Sequence, residues 1–71
     1  MNQNKINELM TFWQGKGANG ADIVPGSTRE GLDKKVEEVS AQLNARGENV
    51  LHVEVFGDDN VGYTALIIWK K

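Results

Sequence analysis

A chain of 71 residues with eight Gly, one Pro, no Cys, 39% apolar and 25% charged residues predicts one small globular domain. That length excludes two domains, a large catalytic cleft and most cofactor-binding folds. The lack of Cys excludes disulfides, thiolate nucleophiles and Cys-based zinc sites.

The net charge of −2 hides an uneven distribution. All ten acids lie between Glu8 and Asp59, while Lys5, Lys70 and Lys71 stand at the ends; residues 6–69 hold five bases against ten acids, a net of −5. Four acids and no base follow between Glu48 and Trp69. Such a body repels nucleic acid and attracts basic surfaces. The longest apolar run, Ala65–Trp69, is far shorter than the roughly 20 residues of a membrane span. The polar start Met1-Asn2-Gln3-Asn4-Lys5 has no apolar signal core, so a cytoplasmic location is expected. A core this small, without disulfide or metal, favours a homodimer.

In chain order, Ile6, Leu9, Met10 and Trp13 recur at helical spacing and predict a helix over 4–14. Asn4 is placed to cap it, Gly15 to end it in the left-handed conformation, and Phe12 falls on its flank. Gly15-Lys16-Gly17-Ala18-Asn19-Gly20 matches G-x-G-x-x-G. The dinucleotide fingerprint needs a strand before it and a helix after it, whereas here a helix precedes and the extended Ala21-Asp22-Ile23-Val24 follows. The glycines of 15–20 therefore read as a linker, and residues 21–71 as the core of the domain. Pro25-Gly26 reads as a turn.

Ser27-x-x-Glu30 reads as a capping box opening a helix that runs to about Arg46, with Gly47 as its stop. Leu32, Val36, Val39 and Leu43 form its apolar stripe, and Glu30, Asp33 and Glu37 share one flank. Val50–Phe56 alternates as a strand, with Leu51, Val53 and Val55 on one side and Val50, His52, Glu54 and Phe56 on the other. Gly57–Gly62 supplies a hairpin turn. Tyr63–Trp69 is apolar on both sides, which marks a central strand.

The expected fold is α+β with the order α-β-α-β-β: a three-stranded mixed sheet, the C-terminal strand central and antiparallel to both neighbours. The long capped helix covers one face. The other, assigned Phe56, Tyr63, Ile67 and Trp69, is expected to be covered by the N-terminal helix or a dimer partner.

From about Asp22 onward the chain resembles a family of very small Bacillus proteins associated with sporulation and also carried by phages. The likeness rests on a short strand, on Arg29-Glu30-Gly31-Leu32-Asp33-Lys34-Lys35-Val36-Glu37-Glu38-Val39, on Val50-Leu51-His52-Val53-Glu54-Val55, and on Tyr63-Thr64-Ala65-Leu66-Ile67-Ile68-Trp69. It implies a strand–helix–hairpin pattern and no chemistry. In size and acidity the chain also looks like phage host-takeover proteins, some of which block the DNA-binding surface of host proteins such as the histone-like HU.

No catalytic constellation is expected. The single His52 lies mid-strand, and neither Ser27 nor Ser40 has a His–acid partner. Asp58-Asp59-Asn60 lacks the spacing of a calcium loop and fits turn chemistry. No cofactor and no metal are expected. The functional expectation is a non-catalytic protein-interaction module presenting Glu30, Asp33, Glu37, Glu54, Asp58 and Asp59 to a basic partner. In its sharpest form it mimics DNA and blocks a host nucleoid-type protein. The alternatives are a nucleic-acid-binding regulator using Lys5, Lys16, Lys70, Lys71 and Trp13, or a self-assembling sporulation or phage accessory protein.

Overall fold

A computed structural model describes residues 3–71; Met1 and Asn2, of the polar N-terminal lead, lie outside it. The chain runs α1 (Gln3–Gln14), β1 (Gly20–Gly26), α2 (Arg29–Ala45), β2 (Asn49–Asp58) and β3 (Gly62–Lys70). The α+β order matches the expectation. β3 lies between β1 and β2 and is antiparallel to each. β1 and β2 run parallel to one another but are never neighbours, so every pairing in the expected mixed sheet is antiparallel. No helix among the described residues is long and apolar enough to cross a membrane.

Both helices end in the same way. In α2 the Glu48 N–H bonds the Leu43 carbonyl (2.9 Å) and the Gly47 N–H bonds that of Asn44 (3.0 Å), with Gly47 at φ +83°. In α1 the Ala18 N–H bonds Trp13 (2.9 Å) and the Gly17 N–H bonds Gln14 (3.1 Å), with Gly17 at φ +101°. This six-to-one, five-to-two pattern needs a left-handed residue after the cap, and glycine adopts it without a Cβ clash. The left-handed residue expected at Gly15 is therefore Gly17.

Two further boundaries move. The N-cap of α2 is Thr28, not Ser27: Thr28 Oγ1 accepts the Gly31 N–H at 3.0 Å. The residue three beyond Thr28 is Gly31, which has no side chain to reach back, so no reciprocal box forms. Pro25-Gly26, read as a turn, completes β1, where an edge position tolerates the missing N–H of Pro25.

The sheet faces also differ from the alternation expected for β2. Register jumps between Val50 and His52: Val50 pairs with Trp69 and His52 with Ile68, leaving Leu51 as the extra residue of a bulge. Val50 consequently joins Val53 and Val55 on the α2 side. There Leu32, Leu43, Val24, Ala65 and Ile67 form the core, with Val36, Val39, Tyr63 and Trp69 packed against it.

This overturns the expected placement of Phe56, Tyr63, Ile67 and Trp69 on one face away from the long helix. Tyr63, Ile67 and Trp69 turn toward α2, and Ile67 is fully buried. Phe56 pairs with Thr64 and points to the opposite side. Small residues explain the choice: Ala65 and Gly26 let α2 approach, and a Cβ on Gly26 would stand 3.0 Å from Leu32 Cβ. Gly20 likewise leaves room for the Trp69 indole, whose ring a Cβ there would overlap.

On the other face, Leu66 and Ile68 are buried. α1 lies on this side, where Met10 shares a small cleft with Ile68 and Trp13 stacks on His52. Its predicted apolar face docks, but Ile6, Leu9, Met10 and Trp13 stay half-exposed, and Phe12 is 56% exposed.

Candidate partner-binding surfaces

The six acids do not share one surface. Glu30, Asp33 and Glu37 lie exposed on α2, on one flank because their spacing of three and four residues nearly closes two helical turns. Asp33 accepts from Arg29 Nε at 3.1 Å, an exposed i,i+4 pair of the kind that contributes little to stability. Glu30 and Glu37 engage no side chain among the described residues.

Glu54 belongs to the opposite side of the sheet, opposite Leu66. Its Oε1 lies 2.7 Å from His52 Nε2, both side chains being about one-third exposed. The His52 ring in turn stacks on Trp13, centroids 5.2 Å apart and planes 19° from parallel. Glu54, His52 and Trp13 thus form one cluster that ties β2 to α1. The period-two spacing of His52 and Glu54 was the available signal for the first pair; the stack on Trp13 had none, because helix and strand are 39 residues apart in sequence.

Asp58 and Asp59 occupy the hairpin tip and carry structural duties. Asp58 Oδ1 accepts from the Asn60 and Val61 N–H groups at 2.9 and 3.1 Å, the side-chain turn that Asp supplies at such positions. Asp59 accepts the Tyr63 hydroxyl at 2.6 Å. That hydrogen bond to the carboxylate raises the Tyr63 phenol above its ordinary pKa, reinforced by desolvation and by the negative charges of Asp59 and Asp58; Arg29 opposes it.

Tyr63 and Asp59 line an open groove with Ser27 and Lys35, so the first turn of α2 and the hairpin tip form one end of the molecule. Its acidity is diluted there by Arg29 and by Lys35, whose Nζ bonds the Pro25 carbonyl at 3.1 Å.

Glu48, counted among the base-free acids, is buried at 6% exposure and bound by Arg46 through Nη2 (2.8 Å) and Nε (2.9 Å). Arg46 thereby serves Glu48, a buried carboxylate that requires a partner. The sequence adjacency of Arg46 and Glu48 across the Gly47 stop was the signal for this pair.

The bases gather at the other end. Lys70 Nζ lies beside Gly17, the Lys71 N–H bonds Asn19 Oδ1 at 2.6 Å, and Lys16 Nζ stands 5.2 Å from the centre of the exposed Phe12 ring. Lys5 belongs to the first turns of α1, away from this group. Trp13, named with these bases in the nucleic-acid-binding alternative, has one ring face occupied by His52. Among the described residues no three His, Asp or Glu side chains converge as a metal ion requires. No family model, curated protein or solved structure matches the chain.

Proposed function

We propose that this protein is a non-catalytic interaction module whose α2 flank meets a basic partner protein. The observation that carries the reading is that Glu30 and Glu37 are exposed, aligned on one flank and, among the described residues, without a side-chain partner, with Asp33 between them paired with Arg29. Glu54, Asp58 and Asp59 are engaged within the fold, so the contact centres on the helix and not on all six acids. In its sharper form the flank stands in for phosphates and displaces DNA from a nucleoid-type, HU-like protein, as the likeness in type to phage host-takeover proteins implies. The resemblance to the small Bacillus sporulation and phage family is compatible with such a role.

The test is a gel competition in which the protein challenges a complex of DNA with a basic nucleoid protein at low salt. Displacement by the native chain is expected, with at least about tenfold weaker displacement by Glu30→Lys/Glu37→Lys. Both positions are exposed, so stability should change by only about 0.5 kcal/mol. A DNA complex left intact by excess native protein would falsify the mimicry.

A second reading has its own observation in its favour. Lys16 stands over the exposed Phe12, with Lys70 Nζ beside Gly17 and the Lys71 backbone bonded to Asn19, a basic end with one aromatic ring of the sort that holds single-stranded nucleic acid. Direct titration with labelled DNA and RNA separates the two: salt-sensitive binding lost in Lys16→Ala/Lys70→Ala supports this end, and absence of binding supports the acidic flank.

A further inference from the structure

The sheet has two edges, and backbone direction distinguishes them. The Trp69 carbonyl accepts the Asn19 N–H at 2.9 Å, and the Lys71 N–H reaches Asn19 Oδ1 at 2.6 Å. Odd-numbered residues of β3 therefore aim their backbone groups at β1, and even-numbered ones at β2. Ile68, Leu66 and Thr64 pair with His52, Glu54 and Phe56, which makes those three the bonded positions of β2. Val53 and Val55 then point their N–H and C=O groups outward, away from β3.

The same alternation turns Ala21, Ile23 and Pro25 outward on β1. Two facts agree with it: Pro25 has no N–H to leave unpaired, and its carbonyl is taken by Lys35 Nζ at 3.1 Å. β1 is thereby closed at one end. β2 is longer, carries no Pro or Lys, and keeps a regular stretch over 52–56 beyond its bulge. A strand edge of that kind is a template for another strand.

We propose that this edge pairs with β2 of a second copy, antiparallel, about a two-fold axis through Val53. Identical subunits meet isologously, so the register must be self-complementary. An axis through Glu54 sets two carboxylates opposite one another, and an axis through His52 opposes two imidazoles. An axis through Val53 places each His52 opposite the partner's Glu54, and opposite-polarity pairs on directly facing residues are the stabilising ones. The outward N–H and C=O of Val53 bond their symmetry mates, and the His52–Glu54 contact of each protomer (2.7 Å) extends into a four-membered ring of alternating polarity. The product is a six-stranded sheet in the order β1-β3-β2-β2-β3-β1, with both copies of α2 on one side. This interface stands independently of the basic-partner reading, since none of its residues lies on α2.

Sedimentation equilibrium tests it, with the full chain at about 10 μM to about 1 mM. The native protein is expected at about twice its 7.8 kDa mass. Val53→Pro removes an N–H that bonds nothing within the protomer, so it should sediment at single mass with an unchanged circular dichroism spectrum. Should Val53→Pro fail to fold, His52→Glu decides: it faces carboxylate with carboxylate and should weaken association at least about tenfold, while His52→Glu/Glu54→His restores it. Native protein at single mass throughout the range overturns the proposal. So does folded Val53→Pro at double mass, or His52→Glu associating as tightly as the native chain.

Discussion

Single residues carry several assignments that one hydrogen bond decides. Thr28 and Ser27 are adjacent and chemically equivalent as caps, yet only Thr28 Oγ1 receives the Gly31 N–H. Thr28→Ala should cost about 1 kcal/mol in chemical denaturation and Ser27→Ala close to nothing; equal losses would return the cap to Ser27. The Tyr63–Asp59 bond makes a second measurable claim. Because the phenol is raised above its ordinary value of about 10 in the folded state, its contribution to stability is whole below that value. It is lost as pH rises through the folded-state pKa. Asp59→Asn removes the charge, and spectrophotometric titration should show the tyrosine ionising at lower pH than in the native chain. An unmoved midpoint would mean that the carboxylate does not govern the phenol.

Elements differ in how firmly they are held. α2 places Leu32 and Leu43 at zero exposure against Val24, Ala65 and Ile67, so Leu43→Ala should cost about 3 kcal/mol, a large share of the stability of so small a domain. α1, by contrast, is 12 residues long and rests on the sheet through half-exposed side chains. A helix of that length is marginal alone. Native-state hydrogen exchange should show α1 amides opening well before those of β3, and Trp13→Ala should speed α1 exchange while leaving β3 protected. Uniform exchange across the chain would contradict a separately opening α1. The helical periodicities of both elements were plain in the sequence. What periodicity could not reveal is depth of burial, because the same i, i+3, i+4 pattern serves a helix locked under a crossover and one laid across a sheet.

At the scale of the whole molecule, β3 separates the two charged ends by about 27 Å at its rise per residue. The screening length at physiological salt is roughly 8 Å, so Lys70 and Lys71 do little to offset the acids of the α2 N-terminal half. At that end Arg29, Lys34 and Lys35 face Glu30, Asp33, Glu37, Glu38, Asp58 and Asp59, three bases against six acids, so a partner meets a local net of −3. If the α2 flank binds a basic protein, raising salt from about 50 to about 200 mM should weaken its direct binding to that protein, measured without DNA, at least about tenfold. A salt-independent affinity would point instead to an apolar contact.

The sequence by itself determined the element order, the central place of β3 and the apolar stripe of α2. All three follow from local periodicity and from a strand apolar on both sides, which has only one economical position in a three-stranded sheet. It also determined the α2 flank of Glu30, Asp33 and Glu37, since helical spacing alone aligns them. Only the tertiary structure decided which sheet face α2 covers, because Ala65, Gly26 and Gly20 set the closeness of approach across strands distant in sequence. The bulge at Leu51, which shifts Val50 onto that face, is a departure from period two that alternation cannot foresee. The same structure separated the acids, withdrawing Glu48 to Arg46, Glu54 to His52, Asp58 to the turn and Asp59 to Tyr63. Counting charges gives their sum, but partners brought together by folding determine which of them remain free to meet another molecule.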